Sequence, residues 1–156
     1  MNEGTILLVD DSPDDVALTL RALRQNNIMN NVRVAPDGEQ ALRYLLPDLP
    51  MIADLRVPPE DPRPALPVLV LLDINLPKIS GLDVLREIRK CERTQYLPVV
   101  VLSTSSEDRD IVESYDLGAN SYVRKPVVFN EFAEAVRVVG VYWLLVNQPA
   151  HPRGAS

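Results

Sequence analysis

The sequence predicts an α/β fold, a doubly wound five-stranded parallel sheet with helices on both faces, and three observations support it. Short strand-like runs alternate five times with stretches of helical periodicity, the pattern of β-α units joined by right-handed crossovers. The central run, Leu69-Val-Leu-Leu72, is apolar without a break, as suits a strand buried on both faces. Each run also ends in turn, polar or charged residues, and Asp73 ends the central one. In open sheets of this kind, chemistry sits just beyond the carboxyl ends of the strands.

Taken in order, the first strand is Thr5–Val9, ending at Asp10-Asp11. Ser12 is placed to cap the next helix, with Pro13 at its first position and Asp14 and Asp15 in its first turn. Val16, Leu20 and Leu23 then recur at helical spacing up to Asn26-Asn27. Val32–Ala35 reads as a second strand, and Pro36-Asp37-Gly38 turns the chain into a helix through about Leu46, with Ala41, Leu42 and Leu45 on its apolar side. The third strand, 68–72, delivers Asp73. A helix from about Ser80 to Arg93 follows, with Leu82, Leu85 and Ile88 inward. Pro98–Leu102 is the fourth strand and ends in Ser103-Thr104-Ser105-Ser106. A less apolar helix covers about Glu107–Leu117, with Gly118 as its stop. Asn120–Arg124 is a short fifth strand before Lys125-Pro126, and the last helix runs from about Phe129 to Val146. The arrangement expected is flavodoxin-like, a single domain over residues 1–146 with strand order 2-1-3-4-5, and 147–156 reads as a flexible tail.

One segment breaks the rhythm. Seven of the 14 prolines fall within residues 47–67, a density that forbids a helix interior or a central strand. It reads as a long surface loop inserted before the third strand, either a tolerated insertion or a partner-contact loop.

Bulk properties exclude several function classes. A chain of 156 residues is about one domain long, and 46% hydrophobic with 24% charged residues is the composition of a soluble globular protein. The net charge of -6 argues against broad attraction to nucleic acid or an anionic membrane. No apolar run reaches the roughly 18–20 residues of a membrane span, and the start lacks the apolar core of a signal peptide. Cys91 is the single cysteine and cannot form an internal disulfide, which fits a reducing cytoplasm.

In the order 2-1-3-4-5, the first, third, fourth and fifth strands are consecutive neighbours. Asp10 and Asp11, Asp73, Ser103 and Lys125 can therefore share one pocket. Three carboxylates this close repel one another, and a hard divalent cation resolves the repulsion. Mg²⁺ suits an oxygen-only site, and the lack of Cys and His nearby argues against zinc. Such a metal is well placed to draw in a phosphoryl group, with Lys125 as a charge, Ser103 as a hydrogen-bond donor and Asp73 as the nucleophile. Singly, each residue has an ordinary role: an acid capping a helix, a serine at an N-cap, a lysine in a turn. Their joint arrival at four ordered strand ends carries the signal.

These residues and their settings resemble those of a response-regulator receiver domain, the phosphoacceptor partner of sensor histidine kinases. The resemblance rests on LLVDDS around the acidic pair, on Asp-x-x-Leu-Pro-x-x-x-Gly from Asp73 to Gly81, and on VLSTS at the end of the fourth strand. Gly118-Ala119 and Tyr122-Val-Arg-Lys125-Pro126 complete it. It implies that Asp73 accepts a phosphoryl group from a phosphohistidine, with Mg²⁺ held by Asp11, Asp73 and the main-chain carbonyl of Asn75, and by Asp10 largely through water. It also implies that Ser103 and Tyr122 form a switch, Ser103 moving toward the phosphoryl oxygen and Tyr122 turning inward. Such a protein is not an enzyme, beyond slow self-dephosphorylation.

No output domain is recognisable after the receiver, so signalling is expected through its own surface. The end of the last helix is apolar almost all round, and Val141, Tyr142, Trp143, Leu144 and Leu145 cannot all face one sheet. A homodimer through these residues is expected, with a longer helix folded over its own core as the alternative. The proline-rich insertion and the terminal Tyr-Trp also resemble stand-alone regulators associated with bacterial phytochromes, which implies a bacteriophytochrome histidine kinase as partner. A phosphorelay intermediate passing phosphate onward is an alternative role. A small haloacid-dehalogenase-type phosphatase is another, but it needs a second acid where Asn75 stands. A flavodoxin would place its phosphate loop where two aspartates repel phosphate, and an adaptor with a vestigial cluster conflicts with the cluster's completeness.

Overall fold

The computed structural model describes residues 4–53, 65–105 and 107–150. Strands β1 (Ile6–Val9), β2 (Val32–Ala35), β3 (Leu69–Leu72), β4 (Val99–Ser103) and β5 (Ser121–Arg124) form one sheet in the order β2-β1-β3-β4-β5, with every pairing parallel. This is the strand order expected.

Alternation along the strands divides the core into two layers. Leu7, Val9, Val70, Leu72, Val99 and Val101 point to one face, where helices α2 (Gly38–Leu45), α3 (Pro50–Ala53) and α4 (Gly81–Lys90) pack through Leu42, Leu45, Ile52, Leu85 and Ile88. Ile6, Leu8, Leu69, Leu71, Val100 and Leu102 point to the other, against α1 (Pro13–Gln25) and α6 (Phe129–Val141). Both faces of the central strands are thus dry, which is why they read as unbroken apolar runs. Each fully buried Leu, Ile or Val contributes about 1.5–3 kcal/mol of hydrophobic stabilisation. Helix α5 (Asp108–Asp116) buries only Ser114, in keeping with its polar sequence.

The helix boundaries follow from local chemistry. Ser12 caps α1, its Oγ accepting from the Asp15 amide at 3.3 Å, with Pro13 opening the helix. Asn27 ends that segment in the left-handed region at φ 59°. Gly118 does the same after α5 at φ 100°, as its sequence position predicts.

Two segments differ from expectation. The stretch 47–67 contains a helical turn, α3, because Pro50 begins it, where a missing N–H costs nothing, and Ile52 is buried against the core. Residues 54–64 of that stretch lie outside the described residues. The last helix is α-helical only to Val141 and continues as a π-turn over Tyr142–Val146, where the Asn147 amide donates to the Tyr142 carbonyl at 2.7 Å. Within this turn Leu144 is 7% exposed and belongs to the chain's own core, with Trp143 packed beside it. Leu144 is therefore not available as a dimer contact. Val141, Tyr142 and Leu145 stay exposed, joined by Val138 and Val146.

Candidate functional site

Parallel register builds the site. Val9 pairs with Leu72 and Leu72 with Val101, so the carboxyl ends of β1, β3 and β4 lie side by side. The Asp73 amide donates to the Val9 carbonyl at 2.9 Å, and the Lys125 amide to the Ser103 carbonyl at 2.8 Å. These backbone bonds bring Asp10, Asp73, Ser103 and Lys125 to one edge, all buried.

Asp10 is 2% exposed, and its Oδ1 accepts from the Ser12 amide at 3.0 Å. Asp73 is 9% exposed, and its Oδ1 accepts from the Asn75 amide at 2.9 Å. The Lys125 ammonium donates to Asp10 Oδ2 at 2.7 Å and to Asp73 Oδ2 at 3.1 Å. A third acceptor, Asp15 Oδ2 at 3.0 Å, is a residue that sequence reasoning missed. It was legible only as a favourable acid in the first turn of α1. What marks it is the position of that turn over the strand ends, which requires the tertiary structure.

Asp11 lies at the exposed side. One carboxylate oxygen from each of Asp10, Asp11 and Asp73 can be chosen so that all lie within 4.8 Å of one another. Acceptor oxygens alone, clustered from neighbouring strand ends and open to solvent on one side, fit a hard divalent cation that keeps several waters. The repulsion foreseen among the acids is met in this structure by Lys125 itself, so the lysine is part of the cluster rather than its far wall.

Burial holds the Asp73 carboxyl above the ordinary carboxylate range; the Asn75 amide and Lys125 oppose this, and the charge of Asp10 adds to it. Burial alone lowers Lys125, but its bond to Asp10 and the charges of Asp73 and Asp10 outweigh that, and its pKa is raised.

Ser103 Oγ, at the end of β4, accepts from the Ser105 amide at 3.1 Å and lies 3.5 Å from Asn75 Nδ2, two residues beyond Asp73. Tyr122 is half-buried, and its phenol donates to the Ser105 carbonyl at 2.8 Å, tying β5 to the loop after β4. Gly81 closes the other side: a Cβ there would sit 2.2 Å from the Asp73 carbonyl oxygen, so close backbone approach selects glycine. Among the described residues no helix is long and apolar enough to cross a membrane.

Comparison with known proteins agrees with this geometry. Residues 6–137 match the family model "Response regulator receiver domain". The chain is 36% identical over 147 residues to the "Probable methanogenesis regulatory protein FilR2" of Methanothrix harundinacea, covering 94% of this chain and 88% of that one. The phosphorylated cyanobacterial phytochrome response regulator RcpA superposes with a TM-score of 0.80 at 33% identity, over 94% of this chain and 98% of that one. The Mn²⁺-bound form of Rcp1, a response regulator of Synechocystis sp., gives a TM-score of 0.79 at 31% identity, over 94% and 99%. With the strand order, the acid pair, the central aspartate and the lysine all in place, the chain belongs to the response-regulator receiver family.

Proposed function

We propose that the chain accepts a phosphoryl group from a sensor histidine kinase onto Asp73 in a Mg²⁺-dependent reaction. The observation that carries this reading is the placement of Asp73: central in the sheet, one oxygen held by the Asn75 amide and the other by the Lys125 ammonium, beside two further acids. A carboxylate oxygen of Asp73 attacks the phosphorus, the phosphorus–nitrogen bond breaks, and its electron pair returns to the histidine. Lys125 offers its ammonium to charge developing on the phosphoryl oxygens, and Ser103, at the neighbouring end of β4, offers its hydroxyl. Asp10, Asp11, Asp73 and the main-chain carbonyl of Asn75 would hold the ion, which neutralises phosphoryl charge when bound. Asn75, an amide two residues after the nucleophile, supplies no general acid or base, which favours an acceptor over a turnover phosphatase.

Ser103 and Tyr122 form the proposed switch. Tyr122 is bonded to the carbonyl of Ser105, two residues beyond Ser103, so movement of Ser103 reaches the phenol through that loop. We assign the kinase to the cytoplasmic bacteriophytochrome class on the likeness to a phytochrome response regulator. We assign self-association to Val138, Val141, Tyr142 and Leu145, apolar residues left exposed at the end of α6.

The test is phosphotransfer with Mg²⁺ from acetyl phosphate and from a red-light-sensing histidine kinase. Acid-labile labelling lost in Asp73→Asn is expected. Label that persists in that variant, or that resists hydrolysis as a serine ester does, would refute the assignment.

A further inference from the structure

We infer that Asp15 is a positioning residue for phosphoryl acceptance: it holds the Lys125 ammonium in the unphosphorylated protein and releases it when a phosphoryl group occupies Asp73. This rests on Asp73 being the phosphoacceptor.

An ammonium has three donors, and here all three are engaged, by Asp10 at 2.7 Å, Asp15 at 3.0 Å and Asp73 at 3.1 Å. A phosphoryl oxygen on Asp73 draws this nitrogen outward with the donor that faced Asp73, and the bonds that hold it back are those to Asp10 and Asp15. Asp10 is a poor partner to release. It is buried, it leaves the end of β1, and its other oxygen is held by the Ser12 amide, so with no cation beside it the loss of the lysine strands a charge away from water. Asp15 differs on each count. Its side chain is 36% exposed, it is carried on α1 rather than a strand end, and beside it opens a hollow of about 60 Å³ shared with Leu18, Lys125 and Val127. Its carboxylate can return to water at little cost.

Charge acts in the same direction. A phosphorylated Asp73 carries close to two negative charges, and Asp15 is within reach of the same nitrogen, so the two repel. Competition for Lys125 and repulsion both oppose the phosphorylated form, so Asp15 raises the amount of phosphodonor needed.

The reaction used to test this is balanced without a further reactant. The Asp73 oxygen forms a bond to phosphorus, the phosphorus–oxygen bond of acetyl phosphate breaks, and acetate leaves with the electron pair while Lys125 stays protonated. Steady-state phosphorylation of the full chain is measured by intact mass at saturating Mg²⁺ over a range of acetyl phosphate. For Asp15→Asn, the half-maximal donor concentration is expected to fall roughly three- to fivefold, the size of a partly exposed ion pair. Asp15→Glu, which keeps the charge, is expected to restore the wild-type requirement. A role confined to the fold would lower the melting temperature of Asp15→Asn and leave the donor requirement unchanged, and that result overturns the inference, as does a raised requirement. A labelled wild type with an unresponsive Asp15→Asn overturns this inference alone. A wild type that takes no label overturns the phosphoacceptor reading and this inference with it.

Discussion

Replacing Lys125 with methionine, which keeps an unbranched side chain one heavy atom shorter and removes its charge, exposes the electrostatics of the cluster. The ammonium lies between 2.7 and 3.1 Å from three carboxylates, and two of these, on Asp10 and Asp73, are buried. At about 3 Å and an effective dielectric of about 20, each contact is worth roughly 5 kcal/mol before desolvation is subtracted. Removing one partner of a buried ion pair costs about 3–5 kcal/mol net, because the charge left behind is uncompensated. In a chain of this size that lowers the melting temperature by about 6–20 °C.

The loss should depend on pH and on metal. Asp73 already has a folded pKa above its ordinary value of 3.8. Between that value and the raised one the native state binds more protons than the unfolded chain, so stability falls as pH rises through the window. Removing Lys125 takes away an interaction that lowers this pKa, which widens the window upward. The variant is therefore expected to lose less at pH 5 than at pH 7.5. A divalent ion bound at 100 times its dissociation constant adds about 2.7 kcal/mol, and Mg²⁺ should recover much of the deficit at pH 7.5. Urea denaturation followed by circular dichroism measures all three quantities. A loss below about 1 kcal/mol at pH 7.5, or a loss that neither acid nor Mg²⁺ relieves, would refute the reasoning.

Asp73→Asn removes a carboxylate whose burial outweighs its attractions, so without metal the variant should melt above the wild type at neutral pH, with the gain shrinking toward acid. An unchanged or lowered melting temperature would count against the raised pKa. Gly81→Ala forces a methyl group toward the Asp73 carbonyl and should cost about 1–3 kcal/mol and slow phosphorylation, read by urea denaturation and labelling. Leu144→Ala should cost about 2–5 kcal/mol as a core truncation. Tyr142→Ser, 47% exposed, should stay within about 0.5 kcal/mol of wild type but weaken self-association in light scattering.

Much of the architecture was legible because it follows from patterns local to each segment. Apolar runs that end abruptly are what a parallel strand buried on both faces requires, so β1, β3, β4 and the residues just past them could be read directly, while the edge strands β2 and β5 carry exposed positions. The strand order then placed Asp10, Asp11, Asp73, Ser103 and Lys125 at neighbouring ends. The glycine at position 81 could be read as a turn signal, but not as a clash avoided with the Asp73 carbonyl, since that contact joins separate elements. The helical turn at Pro50 was hidden by the prolines around it, although proline is at home in the first position of a helix.

What sequence alone determined is therefore the sheet and the identity of most of the acid and base groups, because period and punctuation are properties of a short stretch. How those groups satisfy one another comes from packing between elements. Lys125 neutralises the acids directly, Asp15 joins them from α1, and a π-turn rotates Leu144 into the core while leaving Tyr142 and Leu145 outside. Each of these depends on the distance between atoms brought together by packing, which residue spacing along one element does not encode.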